Sequence, residues 1–145
     1  MMRRRTLYGL IAATAALSAV ATGEASAQAG LLTGGATKLE PITLSSGKPL
    51  AAAPYALQAG KYYSIEINAD GSAELAIGGQ QFFRNVWVDE VVINDIEVRP
   101  LGVDSIEFDD EGTARISFVT IRPGTFELRI PGTTSESQRA VFVVK

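Results

Sequence analysis

The run Phe118-Val119-Thr120-Ile121-Arg122-Pro123-Gly124-Thr125-Phe126-Glu127-Leu128-Arg129-Ile130 decides the fold class. Leading into it, Ala114, Ile116 and Phe118 alternate with Arg115 and Ser117. Leading out of it, Phe126, Leu128 and Ile130 alternate with Glu127 and Arg129. A period of two sends alternate side chains to opposite faces, the mark of a half-buried strand. Between the two runs, Pro123-Gly124 suits the central positions of a type II turn. Proline fixes φ there and glycine accepts a positive φ.

The same grammar extends in both directions. Tyr63, Ile65 and Ile67 alternate with Ser64, Glu66 and Asn68; Ala73, Leu75 and Ile77 are spaced about Glu74; Ile106 and Phe108 flank Glu107. Turn chemistry separates these runs at Gly47-Lys48-Pro49, Ala59-Gly60, Ala69-Asp70-Gly71, Gly78-Gly79 and Asp109 to Gly112. Short strands at about ten-residue spacing predict an antiparallel sandwich or barrel. Gln80 to Asn85 reads as a short helical turn. Ala140 to Val144 is a continuous apolar strand, expected inside a sheet and not at an edge.

The amino-terminal segment reads as an export address. Arg3, Arg4 and Arg5 precede the uncharged apolar run Leu7 to Val20, and Ala25-Ser26-Ala27 offers a cleavage site. That run is shorter than the roughly 20 residues a spanning helix needs. Residues 1–27 are therefore expected to be a signal peptide, and Arg4-Arg5-Thr6-Leu7 also satisfies a twin-arginine pattern. Residues 28–38, rich in Gly and Thr, read as a flexible tether, and residues 39–145 as the folded domain. Cleavage after Ala27 removes three of 13 basic and one of 16 acidic residues, moving the formal charge from −3 to −5. An acidic domain is a poor partner for nucleic acid or anionic lipid. The expected location is the periplasm or the exterior, with no membrane span after cleavage.

Absent residue types exclude whole chemistries. The chain has no Cys and no His, and its two Met residues are Met1 and Met2. Disulfides, thiolate nucleophiles and imidazole bases are ruled out. With Lys48 and Lys61 at turns, no desolvated lysine base is expected either. The chain is therefore not expected to be an enzyme.

Three segments resemble the cupredoxins. Leu57-Gln58-Ala59-Gly60-Lys61, with the strand ending near Asn68, is similar to that family's second main strand. Ile121-Arg122-Pro123-Gly124-Thr125-Phe126-Glu127-Leu128 is similar to its late hairpin, and Ala140-Val141-Phe142-Val143-Val144 to its closing strand. The resemblance covers most of the mature chain and implies an all-β, Greek-key antiparallel β-sandwich. It also implies where a type 1 copper would sit. A Cys would fall near Ile130-Pro131, His and Met within Gly132 to Arg139, and an earlier His just after Asn68, where Asp70 and Glu74 stand. None of those ligands is present, and a blue-copper centre needs two imidazoles and a thiolate. The implied scaffold is therefore copper-free, and no cofactor is expected.

Two features remain as candidate sites. From Asp89 to Glu111 the chain carries nine carboxylates (Asp89, Glu90, Asp95, Glu97, Asp104, Glu107, Asp109, Asp110 and Glu111) against the single base Arg99. Asp109, Asp110 and Glu111 read as a solvated hairpin turn, as a docking face for a basic partner, or as an oxygen-donor site for a hard cation. Phe82, Phe83 and Trp87, around Arg84 and Asn85, read either as one end of the core or as an aromatic platform. Arg122 is expected to pair with a carboxylate of the acidic stretch. Together these features predict an exported, non-enzymatic binding or accessory module with a protein partner. A metal-binding protein using oxygen ligands is the alternative.

Overall fold

Inward-facing aliphatic rows on two sheets form the core. The computed structural model describes residue 32 and residues 34–145; the expected signal peptide and most of the expected tether lie outside the described residues. Strands run β1 (Thr37–Lys38), β2 (Ile42–Leu44), β3 (Tyr55–Leu57), β4 (Tyr62–Ala69) and β5 (Leu75–Gly78). A five-residue helix, α1 (Gln80–Arg84), stands where the sequence predicts a helical turn. Then follow β6 (Val86–Ile93), β7 (Ile96–Val98), β8 (Ser105–Phe108), β9 (Gly112–Thr120), β10 (Gly124–Arg129) and β11 (Arg139–Val144).

The first sheet has the order β1-β4-β9-β6-β7, with β2 also paired to β4; the second has the order β3-β11-β10-β5-β8. Ile65, Ile67, Ile116 and Phe118 of the first sheet face Ile77, Leu128, Phe142 and Val144 of the second, all nearly or fully buried. Phe82 of α1 bridges them, its ring 5.2 Å from Phe118 and 4.5 Å from Phe142. The closing strand β11 is flanked by β3 and β10, inside its sheet as its apolar run predicts.

The sheets are mixed. β1 and β2 run parallel to β4, and β3 runs parallel to β11. The early strands lace along the sandwich edges, β2 in the first sheet and β3 in the second, and so return to their neighbours by crossovers. Thr37–Lys38 belongs to this lacing. It was expected in the tether, yet it pairs with Tyr63-Ser64, and the Leu39 amide donates to the Ser64 carbonyl at 2.8 Å.

Two expected hairpins are corners between sheets. Pro123-Gly124 carries the chain from β9 in the first sheet to β10 in the second, and Asp109 to Gly112 carries it from β8 in the second to β9 in the first. Gly124 does not occupy a type II turn: its φ is +152°, and it already pairs with Val144 as part of β10. Both kinds of connection use the same turn residues, so alternation alone does not separate them. A true tight hairpin lies elsewhere. Asn94 (φ 48°) and Asp95 (φ 64°) join β6 to β7 with the two positive φ values of a type I′ turn.

Candidate functional site

The acidic corner is built by the β5/β8 ladder. Leu75 pairs with Phe108 and Ala76 with Glu107, which sets Glu74 beside Asp109. Glu107 and Asp109, two residues apart, share a face. Glu74, Glu107 and Asp109 consequently bring carboxylate oxygens within 4.8 Å of one another, and all three are exposed. Asp110 and Glu111 are exposed but stand outside that trio. Asp110 Oδ1 instead accepts the Glu111 amide at 2.8 Å and lies against Gly71, where a Cβ would come within 2.9 Å of it. Arg122 does not reach this stretch. It is exposed at the β9–β10 corner and, among the described residues, makes no ion pair.

Beneath the corner is a tight polar knot. The Ser45 hydroxyl, almost fully buried, donates to Asp70 Oδ2 at 2.6 Å, and the Ser72 amide donates to Asp70 Oδ1 at 3.0 Å. Lys48 Nζ approaches the same carboxylate at 3.5 Å. The serine hydroxyl bonds, Ser45 first, hold the Asp70 carboxyl well below the ordinary carboxylate range.

The aromatic trio does not form a platform. Phe82 is fully buried in the core and Phe83 packs on it edge-to-face at 5.4 Å, whereas Trp87 is about half exposed on the outer side of β6. A helix residue and a strand residue of opposite facing cannot share one surface. Trp87 joins a different row: Tyr62, Val119 and Trp87 lie side by side across β4, β9 and β6.

That outer face of the first sheet holds the polar cluster the sequence reading passes over. Asp89 is the extra residue of a β-bulge, for Val88 pairs with Phe118 and Glu90 with Ser117. Its carboxylate is nearly buried and accepts Tyr62 Oη at 2.8 Å and Arg99 NH1 at 2.8 Å. Arg99 also reaches Glu90 and Glu97, and Arg115 approaches Glu90 at 3.9 Å. Burial, and then the bond to Asp89, push the Tyr62 phenol up from its ordinary value, so it remains a donor at neutral pH. The signal for this cluster is the pair Asp89-Glu90, which interrupts the apolar run from Val86 to Ile93.

The residues at the positions where the cupredoxin resemblance would put a copper site do not fit one. The β10–β11 connection carries Thr133, Ser135, Glu136, Ser137 and Gln138, and these bond to one another and to Arg129 and Arg139. Near Asn68 the side chains are Asp70 and Glu74. With no imidazole or thiolate anywhere in the chain, this donor set holds no type 1 centre.

No protein-family model matches the chain, and no curated protein matches it. Solved structures do match in fold. A multi-copper oxidase from Pseudomonas thermotolerans aligns with a TM-score of 0.54 at 17% identity, over 76% of this chain and 30% of that one. The McoA multicopper oxidase variant from Aquifex aeolicus aligns with a TM-score of 0.57 at 14% identity, over 78% and 30%. Copper nitrite reductase from Nitrosomonas europaea aligns with a TM-score of 0.52 at 14% identity, over 66% and 33%. The chain thus spans about a third of each neighbour's length, and at these identities the likeness is one of fold. The fold is a cupredoxin-like β-sandwich.

Proposed function

We propose that this chain is an exported, non-enzymatic binding or accessory module on a copper-free cupredoxin-like scaffold, with a protein partner. The observation that carries the reading is a mismatch. The chain shares its fold with domains of copper enzymes and contains neither imidazole nor thiolate. A scaffold without that donor set has surfaces to offer in place of a redox centre. The best-charged surface is the corner of Asp109, Asp110 and Glu111, flanked by Glu74 and Glu107, and among the described residues none of these five carboxylates forms an ion pair. It suits a basic protein face, to which exposed charges contribute encounter rate more than affinity.

The test is cross-linking in periplasm followed by mass spectrometry. Wild type is compared with a variant in which Asp109, Asp110 and Glu111 are changed to Ser. A partner recovered only with wild type, and lost at high salt, supports the reading. Equal recovery with both proteins removes the corner as a docking face.

The second reading is a cation site with oxygen ligands, and the convergence of Glu74, Glu107 and Asp109 favours it. Calcium takes six to eight oxygens, so three exposed carboxylates leave most of the shell to water. Calorimetric titration with Ca²⁺ and Cu²⁺ separates the readings. Heat lost on Glu107→Gln supports the cation site, and a flat trace with both ions ends it.

A further inference from the structure

We propose that this chain forms a two-fold dimer in which the β7 strands of two copies pair antiparallel about Val98, joining the two first sheets into one. Among the described residues, β7 is an edge strand that pairs with β6 alone. The two-residue turn at Asn94-Asp95 makes Ile93 and Ile96 the hydrogen-bonded pair that closes the hairpin. Hydrogen-bonded and non-hydrogen-bonded pairs alternate along an antiparallel ladder. Ile96 and Val98 therefore turn their main-chain groups toward β6, and Glu97 and Arg99 turn theirs outward. Pro100 continues the alternation toward β6, so its missing N–H leaves no gap on the free edge.

The free edge is complementary to itself. Antiparallel pairing about Val98 sets Glu97 of each copy opposite Arg99 of the other, so the Glu97–Arg99 pair already present within each copy becomes one cluster of four alternating charges. Opposite charges across strands stabilise and like charges destabilise. A register centred on Glu97 sets Glu97 against Glu97, and one centred on Arg99 sets Arg99 against Arg99. The Glu97-centred register also brings Asp95 opposite Arg99, but only with Glu97 against Glu97 and with Asp95 held in the turn at φ 64°. The Val98 register sets unlike charges opposite each other with no like pair, and a second copy is its occupant. This is the isologous contact of a closed dimer.

The apolar side of the strand agrees. Ile93 is 40%, Ile96 66% and Val98 46% exposed, and Leu101 just beyond is fully exposed. Such a cluster on one hairpin is unusual for a surface meant only for water. In the proposed pairing Val98 meets Val98, while Ile96 meets Pro100 and Leu101 of the second copy.

Sedimentation of the full mature chain across a concentration series tests this. Wild type is expected to sediment as a dimer at the upper end. Glu97→Pro removes an outward N–H and leaves the β6 ladder intact, so it is expected to sediment as a monomer with only the small drop in melting temperature that loss of the exposed Glu97–Arg99 pair brings. Val98→Lys, which sets two ammonium groups against each other, gives the same monomer should the proline variant fail to fold. Val98→Cys adds a direct readout, because the chain has no other cysteine. The non-hydrogen-bonded pair holds Cα atoms about 4.5 Å apart, within disulfide reach. Oxidation is expected to yield a covalent dimer with Val98→Cys and none with Ile121→Cys. Wild type monomeric throughout, or a dimer that survives both Glu97→Pro and Val98→Lys, overturns the proposal.

Discussion

Tyr62 and Asp89 meet across the central strand of the first sheet, the phenol donating to Asp89 Oδ2 at 2.8 Å over β9. The bond depends on the bulge between Val88 and Glu90, which supplies an extra residue with no partner on β9. Bulges bend a strand and re-aim side chains. Here the re-aimed side chain is a carboxylate, kept from water on one side by Tyr62 and answered on the other by Arg99. Tyr62→Phe removes one donor from a nearly buried charge. Hydrogen bonds to charged groups are worth about 1.5–3 kcal/mol, and Tyr62 is only half buried, so the lower end applies. Chemical denaturation is expected to show a loss of about 1–2 kcal/mol. A loss below the error of the fit would show that water replaces the phenol at no cost.

Phe82 and Trp87 carry opposite expectations. Phe82 is fully buried between Phe118 and Phe142, one from each sheet. Truncating a buried phenylalanine costs about 3–5 kcal/mol in transfer and cavity terms. Phe82→Ala should therefore cost about that much or prevent folding. Trp87→Ala should cost about 1 kcal/mol or less, since surface changes away from buried features are small. Equal losses would contradict the division of these aromatics between core and surface.

How much of this was legible follows from the period. β4, β9 and β10 announce themselves because each keeps one uninterrupted alternation, with Ile65, Ile116 and Leu128 inward. β6 does not. Val86 and Val88 face inward before the bulge and Val91 after it, so Asp89-Glu90 breaks the period where the strand continues. The polar cluster around Asp89 was hidden by the same break. β2 and β3 have three residues each, too few for any periodicity to register. The acidic turn was visible as charge. That Glu74 and Asp109 converge depends on the β5/β8 register, which joins segments more than 30 residues apart. The aromatic trio misled because chain proximity does not fix facing where a helix gives way to a strand.

Gly79 stands where α1 abuts the second sheet. A Cβ there would lie 2.4 Å from the Glu127 carbonyl oxygen and 2.8 Å from Leu128 Cδ2. Its φ of 179° is extended and suits any residue, so the constraint is space alone. The nearest atom is backbone in the middle of β10, which a side-chain rotation cannot move. Overpacking typically costs about 1–3 kcal/mol, and the upper end applies here. Gly79→Ala is expected to lower the melting temperature sharply, whereas Gly47→Ala, with nothing within 4 Å, is opposed only by its φ of +70°. A smaller loss at Gly79 than at Gly47 would refute the close approach.

Asp70 should give the acid limb of stability a recognisable shape. Its folded pKa lies below the unfolded value of about 3.9. A depressed carboxyl contributes stability that is fully present above the unfolded pKa and is lost as pH falls toward the folded one. Asp70→Asn keeps the size of the side chain and removes the charge that Ser45, Ser72 and Lys48 all address. The variant is expected to melt below wild type at neutral pH. As pH drops below about 4 the wild-type melting temperature should fall faster, and the two curves should draw together. Other carboxylates titrate in both proteins, so the informative quantity is the difference between the curves. A gap that stays constant through the acid range would assign the loss to altered packing at the Ser45 knot and not to the Asp70 charge.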